Sequence, residues 1–142
     1  MKNLILIGLA GLSLASCKTI SKDYIIRPKS HTETQGTAKF TQKKGTVEMD
    51  LSVFNLTPGL HAVHIHEFGD CSATDASSAG GHWNPEKDMH GKWDSAHFHM
   101  GDIGNLEADK KGTARLVFAT DKWCLGCDDP SKNIIGKAIV IH

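Results

Sequence analysis

Two histidines one residue apart, His64 and His66, open a series of side chains that can hold a metal ion. The later members are His82, His90, His99 and Asp102, and the last residue of the sequence is His142. Histidine is the commonest metal side-chain ligand, and neutral imidazole suits zinc and copper. Successive side chains of a strand point to opposite faces. An extended segment therefore puts His64 and His66 on one face with Ala62, while His61, Val63 and Ile65 point the other way. The pair is a two-nitrogen clamp. The other four candidates fall within the stretch from His82 to Asp102, and three imidazoles with one carboxylate make a closed tetrahedral zinc set.

A lone H-x-H pair is weak evidence, because surface strands carry such pairs by chance. The remaining histidines read differently. His61 points with Val63 and Ile65 and is expected to be buried and hydrogen-bonded in support of the ligands. His97 shares the face of His99 if that segment is extended, and exposure is its default; His31 is expected to face solvent. Glu67 and Asp70 are read as loop acids rather than as groups that orient ligands. Trp83, Trp93 and Trp123 are read as packing residues rather than as a cofactor box.

The elements that must position these groups are strands. Gly36–Thr41 and Thr46–Phe54 alternate polar and apolar residues with period two, with a turn at Lys43-Lys44-Gly45. Thr57-Pro58-Gly59 turns the chain into a strand over His61–Glu67. Leu106–Asp109 and Thr113–Phe118 read as a further pair around Lys110-Lys111-Gly112, and Lys137–Ile141 as a last short strand. Long helical periodicity is lacking, so the pattern predicts an all-β antiparallel sandwich or barrel. The span from Phe68 to Gly101 has no strand periodicity and is rich in Gly, Ser, Asp and His. Irregular spans of that length are usually functional or disordered, and metal can order this one.

The sequence has 142 residues, enough for one domain with a core, and its formal net charge is zero, which gives no pointer to nucleic acid or to a membrane surface. An apolar run from Leu4 to Leu14 follows Lys2 and is too short to span a bilayer. It ends in Leu14-Ala15-Ser16-Cys17, which resembles a bacterial lipoprotein lipobox. That resemblance implies a signal peptide over residues 1–16, lipidation of Cys17 and anchoring at a bacterial envelope. Residues 17–30 then form the lipidated N-terminus and either a polar tether or a first strand that begins at Tyr24-Ile25-Ile26, ahead of a domain over residues 31–142. Asn55-Leu56-Thr57 matches a glycosylation sequon and is given little weight in a bacterial setting.

The words around the ligands resemble copper–zinc superoxide dismutase. They are Pro58–Cys71, Ser78–Pro85, His99–Asn105 and Ile135–His142, within a similarity running from about Gly36 to His142. The resemblance implies a Greek-key β fold with a long metal-binding loop. It implies copper at His64, His66, His82 and His142, and zinc at His82, His90, His99 and Asp102, with His82 bridging the two ions as an imidazolate. The implied activity is disproportionation of superoxide at the copper, and a homodimer is compatible with it. A copper- and zinc-binding lipoprotein of the same fold with little or no turnover is the alternative, and a non-functional fragment a weaker one. The family continues past its last copper histidine with a charged loop bearing an active-site arginine, a cysteine that bridges to the position of Cys71, and a final strand. This sequence stops at His142, so the expectation is a fold without that strand and slower turnover.

Cys71, Cys124 and Cys127 remain after Cys17. A redox dithiol or half a zinc site at Cys124-Leu125-Gly126-Cys127 is not favoured, because the strand–helix context and a second C-x-x-C are lacking. The default is a structural disulfide, between those two or from one of them to Cys71.

Overall fold

The computed structural model describes residues 18–142, so the apolar N-terminal run and Cys17 lie outside the described residues. Seven strands make two antiparallel sheets. They are β1 (Ile20–Ile26), β2 (Gln35–Lys43), β3 (Thr46–Phe54), β4 (Gly59–His66), β5 (Asp102–Ala108), β6 (Ala114–Thr120) and β7 (Ala138–Ile141). One sheet has the order β1-β2-β3-β6 and the other β5-β4-β7.

The alternation of the sequence becomes the core. In β3, Val47, Met49, Leu51 and Val53 are buried, and in β2 Ala38 and Phe40 are buried. The register sets Ala38 opposite Leu51 and Phe40 opposite Met49. Val63 and Ile65 of β4 and Leu106 of β5, in the other sheet, join them in one core cluster with Trp123. Each of the valine, leucine, isoleucine, methionine and phenylalanine side chains among them contributes roughly 1.5–3 kcal/mol on burial. Lys44 and Gly45, with φ of 52° and 85°, close the β2–β3 hairpin; two consecutive positive-φ residues match the strand twist in such a turn.

Two expectations about pairing resolve against or beyond the sequence reading. Within the stretch expected as tether or first strand, Ile20–Ile26 is strand, ending rather than beginning at Tyr24-Ile25-Ile26: β1 pairs with β2 along its whole length, from Ile20 opposite Gln42 to Ile26 opposite Gly36. The expected pair around Lys110-Lys111-Gly112 is not a pair. The turn is there, with Asp109 Oδ1 accepting the Lys111 and Thr113 N–H groups, but β5 joins β4 while β6 crosses to the opposite sheet and joins β3. In that register Leu51 stands opposite Leu116 and Met49 opposite Phe118.

The cysteine alternatives also resolve. Cys124 and Cys127 form a disulfide, and Cys71 is exposed and has no cysteine partner among the described residues. The disulfide lies in the connection between β6 and β7. That connection is fastened to the core by Leu125 N–H donating to Gln42 Oε1 at 2.7 Å and by Trp123 Nε1–H donating to the Met100 carbonyl at 3.0 Å.

Candidate metal centre

β4 is the spine of the site. Its pairing with β5 shifts register between Val63 and His64, so that Asp102 rather than Ile103 stands opposite His64. A bulge of this kind re-aims side chains, and here it brings a carboxylate beside an imidazole. Val63 and Ile65 enter the core, while His64 and His66, both buried, face the long connection that covers β4.

That connection is irregular apart from a 3-10 turn at Ser77–Ala79, and main-chain bonds hold it on the strand. Trp83 N–H donates to the Ile65 carbonyl at 2.8 Å, Ile65 N–H to Gly101 at 2.9 Å, and Gly101 N–H to Trp83 at 2.9 Å. Three ligand-bearing segments, around His66, His82 and Asp102, are thus tied to one another by backbone alone. Gly101 is required at this junction, because a Cβ there would run into the Ile65 carbonyl and the Trp83 nitrogen. Trp83 and Trp123 are buried in the core, and Trp93 packs against it, as packing residues should.

The geometry brings all seven predicted ligands together. One group within 4.8 Å comprises His64, His66, His82 and His142; a second comprises His64, His82, His90 and Asp102. The rings of His64 and His82 stack with centroids 3.8 Å apart, and His142 lies 5.0 Å from His64 and 5.6 Å from His66. His99 belongs to the same cluster, with its ring 5.6 Å from His82 and 5.5 Å from His90.

Asp102 is the hub of the second group and is only 2% exposed. Its oxygens lie 3.0 Å from His82 Nδ1, 3.0 Å from His90 Nδ1 and 3.4 Å from His99 Nδ1. Burial works to raise its pKa, but N–H groups of His99 and Gly91 donating to Oδ2, with the neighbouring His99 and His82 rings, outweigh this and hold the carboxyl below its ordinary value. Three of the imidazoles are also held below the value of a free histidine. Burial first, then the neighbouring rings of His82 and His142, push His64 down to about 4. Burial likewise lowers His82 against the pull of Asp102, and lowers His142 together with His66 and His82. Those three rings are therefore neutral near pH 7, the form that ligates metal.

Several tautomers are set by carbonyls. His66 Nδ1–H donates to the Gly80 carbonyl at 2.8 Å, leaving Nε2 free; His99 Nε2–H donates to the Asp88 carbonyl at 3.1 Å, leaving Nδ1 free. His66 Nε2, His99 Nδ1 and His64 Nδ1 are buried without a hydrogen-bond partner. Unpartnered buried polar atoms are costly, and three within one cluster of imidazoles fit lone pairs held ready for metal ions.

The other sequence candidates find lesser places. His61 is half-buried rather than buried; its Nδ1 lies 2.8 Å from the His142 main-chain oxygen and its Nε2 2.7 Å from the Thr57 carbonyl. With His142 N–H donating to the Ala62 carbonyl at 2.9 Å, it fixes the backbone of a ligand candidate, so its supporting role stands although its burial does not. Asp70 Oδ1 caps a turn by accepting Ser72 N–H, and Glu67 is exposed. His97 and His31 are exposed. What the sequence does not reveal is that the Gly80 and Asp88 carbonyls orient two of the rings, since a main-chain atom carries no residue type.

The sequence matches the copper/zinc superoxide dismutase (SODC) family over residues 34–142. It is 40% identical over 110 residues to an extracellular Cu-Zn superoxide dismutase of Haemonchus contortus, covering 78% of this chain and 58% of that protein. It is 40% identical over 114 residues to the extracellular Cu-Zn enzyme of Caenorhabditis elegans, covering 80% and 50%. A Cu-Zn superoxide dismutase of Paramecium bursaria Chlorella virus 1 is 38% identical over 109 residues, covering 76% and 56%. The chain thus spans about half the length of the curated relatives it matches. Copper and zinc are the metals of that family, and the imidazole and carboxylate groups gathered on β4 can hold metal ions. By its sequence match, its antiparallel sandwich and these ligand groups, the chain belongs to the copper/zinc superoxide dismutase family.

Proposed function

We propose that this chain is a copper- and zinc-dependent superoxide dismutase, with copper on His64, His66, His82 and His142 and zinc on His82, His90, His99 and Asp102. The observation that carries this reading is the sharing of His82 by two adjoining donor groups, one made of imidazoles alone and one centred on a carboxylate. Distance alone would allow His64 into the second group in place of His99. Two features favour His99: its buried Nδ1 is unpartnered and faces Asp102, and His64 is needed beside His66 and His142. The His₃Asp set is a closed one, suited to a structural zinc, while the four-imidazole set suits copper.

Bound copper would supply the redox change, taking an electron from one superoxide and returning it to the next. The protein's part is to hold neutral donors in place and to handle protons. Burial keeps His64, His82 and His142 unprotonated near pH 7, so protons do not compete for the donor nitrogens. His82 turns Nδ1 to Asp102, which leaves Nε2 for the copper group and for carrying a proton to reduced substrate. Asp102 would offset the charge of a bound zinc, and it fixes the ring of His82.

The relatives from Haemonchus contortus and Caenorhabditis elegans are named extracellular enzymes. Export fits the disulfide between Cys124 and Cys127, and the Leu14–Cys17 word supports lipid anchoring of Cys17 at a bacterial envelope. Cys17→Ser is then expected to release the protein into soluble fractions. The activity is tested by superoxide consumption: copper- and zinc-loaded protein is expected to turn over superoxide, and His64→Ala loaded in the same way to fail. Equal rates for the two would remove the enzyme reading and leave a metal-binding protein.

A further inference from the structure

The metal-binding connection contains a second, smaller network that the donor groups do not use. It is built on Asn84 and Asp88, between His82 and His90. The Asn84 side chain grips the main chain of Asp88 at both ends. Its Nδ2–H donates to the Asp88 carbonyl at 2.8 Å, and its Oδ1 accepts the Asp88 N–H at 3.0 Å. The same Asp88 carbonyl accepts His99 Nε2–H at 3.1 Å. The Asp88 carboxylate is held in turn by the Met89 N–H at 2.8 Å and by His97 Nδ1–H at 2.7 Å. His97, which has no ligand role, thus braces the same residue.

From this geometry we infer that Asn84 is a positioning residue for zinc: by fixing the Asp88 carbonyl it locks His99 with its proton on Nε2 and its bare Nδ1 toward the metal. The inference rests on the reading of His99 as a zinc ligand. Three points carry it. A carbonyl can only accept, so a bond from it to His99 Nε2 dictates the tautomer. The nitrogen left bare is the one that is buried, unpartnered and 3.4 Å from Asp102 Oδ1. The carbonyl itself lies in a connection without regular structure, where only the carboxamide of Asn84 and the ring of His99 bond it. Groups that orient a metal-bound imidazole through its other nitrogen typically change metal affinity by about 10–100-fold when removed. Asn84 acts one bond further out, so a loss of about tenfold is the expected scale. The same grip closes the turn that delivers His90.

The test uses the zinc-loaded full chain and two variants. Asn84→Ala removes both bonds to Asp88. Asn84→Asp keeps an acceptor for the Asp88 N–H and loses the donor to the carbonyl, and it serves if the alanine variant folds poorly. Zinc release to an excess of chelator is expected to be about tenfold faster in Asn84→Ala, with Asn84→Asp between it and wild type. The second readout is the His99 imidazole Nε2 proton by NMR. It is expected to be slow to exchange in wild type and fast in both variants. A purely structural role for Asn84 would lower the melting temperature and leave that proton protected. Unchanged zinc release, or a proton still protected in both variants, overturns the inference. His99→Ala separates the two levels of the argument. If it binds zinc as wild type does, the zinc assignment of His99 fails. If it loses zinc while both Asn84 variants behave as wild type, only the role of Asn84 fails.

Discussion

Asp102 is where stability and metal binding meet, and its replacement has a predictable size. The carboxylate is buried, and its Oδ2 accepts the His99 N–H at 2.8 Å and the Gly91 N–H at 3.2 Å. Its Oδ1 lies 3.0 Å from His82 Nδ1. Asp102→Ala leaves two main-chain donors without their acceptor in a site that the connection covers. A buried donor left unsatisfied costs about 1–3 kcal/mol, so the metal-free variant is expected to lose about 2–6 kcal/mol. That is a large part of the roughly 5–15 kcal/mol typical of a whole domain. Asp102→Asn can keep its oxygen toward the two N–H groups but presents an amide to His82, so its loss is expected to be smaller. Both variants remove the only carboxylate of the proposed zinc set, and both are expected to lose zinc. Urea unfolding followed by the fluorescence of buried Trp83 and Trp123 measures the stability, and metal analysis of the purified protein measures the zinc. If Asp102→Ala unfolds within about 0.5 kcal/mol of wild type and retains a full zinc equivalent, the reasoning from its buried contacts is wrong.

Gly101→Ala places a methyl group against the Ile65 carbonyl and the Trp83 nitrogen; overpacking of this kind costs about 1–3 kcal/mol, and a lower urea midpoint together with weaker retention of both metals is expected. The metal-free protein is expected to lose stability as pH falls from 6.5 towards 4. His64 has a folded pKa of about 4 against 6.5 unfolded, so in that window the unfolded chain binds the proton and the folded one does not. The burial-lowered His82 and His142 act in the same direction. For His64 the effect is at most about 3 kcal/mol, and a urea midpoint that is higher at pH 5 than at pH 7 would contradict it.

The site was more legible in the sequence than the pairing of the strands. Metal chemistry needs particular residue types, and His64, His66, His82, His90, His99, Asp102 and His142 announce themselves by type and spacing; the fold brings all seven onto one face of β4. The alternation in Thr46–Phe54 gave β3 its bounds because one face of that strand is wholly buried. β1 was harder, since its interior residues from Ser21 to Ile25 are all exposed and only its ends are partly buried, so no alternation marks it. The turn at Lys110-Lys111-Gly112 was read correctly as a turn and wrongly as a hairpin. Turn chemistry is local, whereas the choice of β6 for β3 depends on side chains more than sixty positions away, such as Leu51 facing Leu116. Gly101 and the Asp88 carbonyl act through backbone position, which residue types do not encode.

In the proposed centre His82 serves two metal ions through its two ring nitrogens. Cobalt(II) at the zinc group with copper(II) at the other gives two paramagnetic ions in one molecule. If His82 bridges them, exchange through the imidazole should largely abolish the copper electron paramagnetic resonance signal seen in copper–zinc protein. A copper signal undiminished by a full equivalent of cobalt, with copper and cobalt both shown to be bound to their own groups, would contradict the shared histidine and the superoxide dismutase centre built on it.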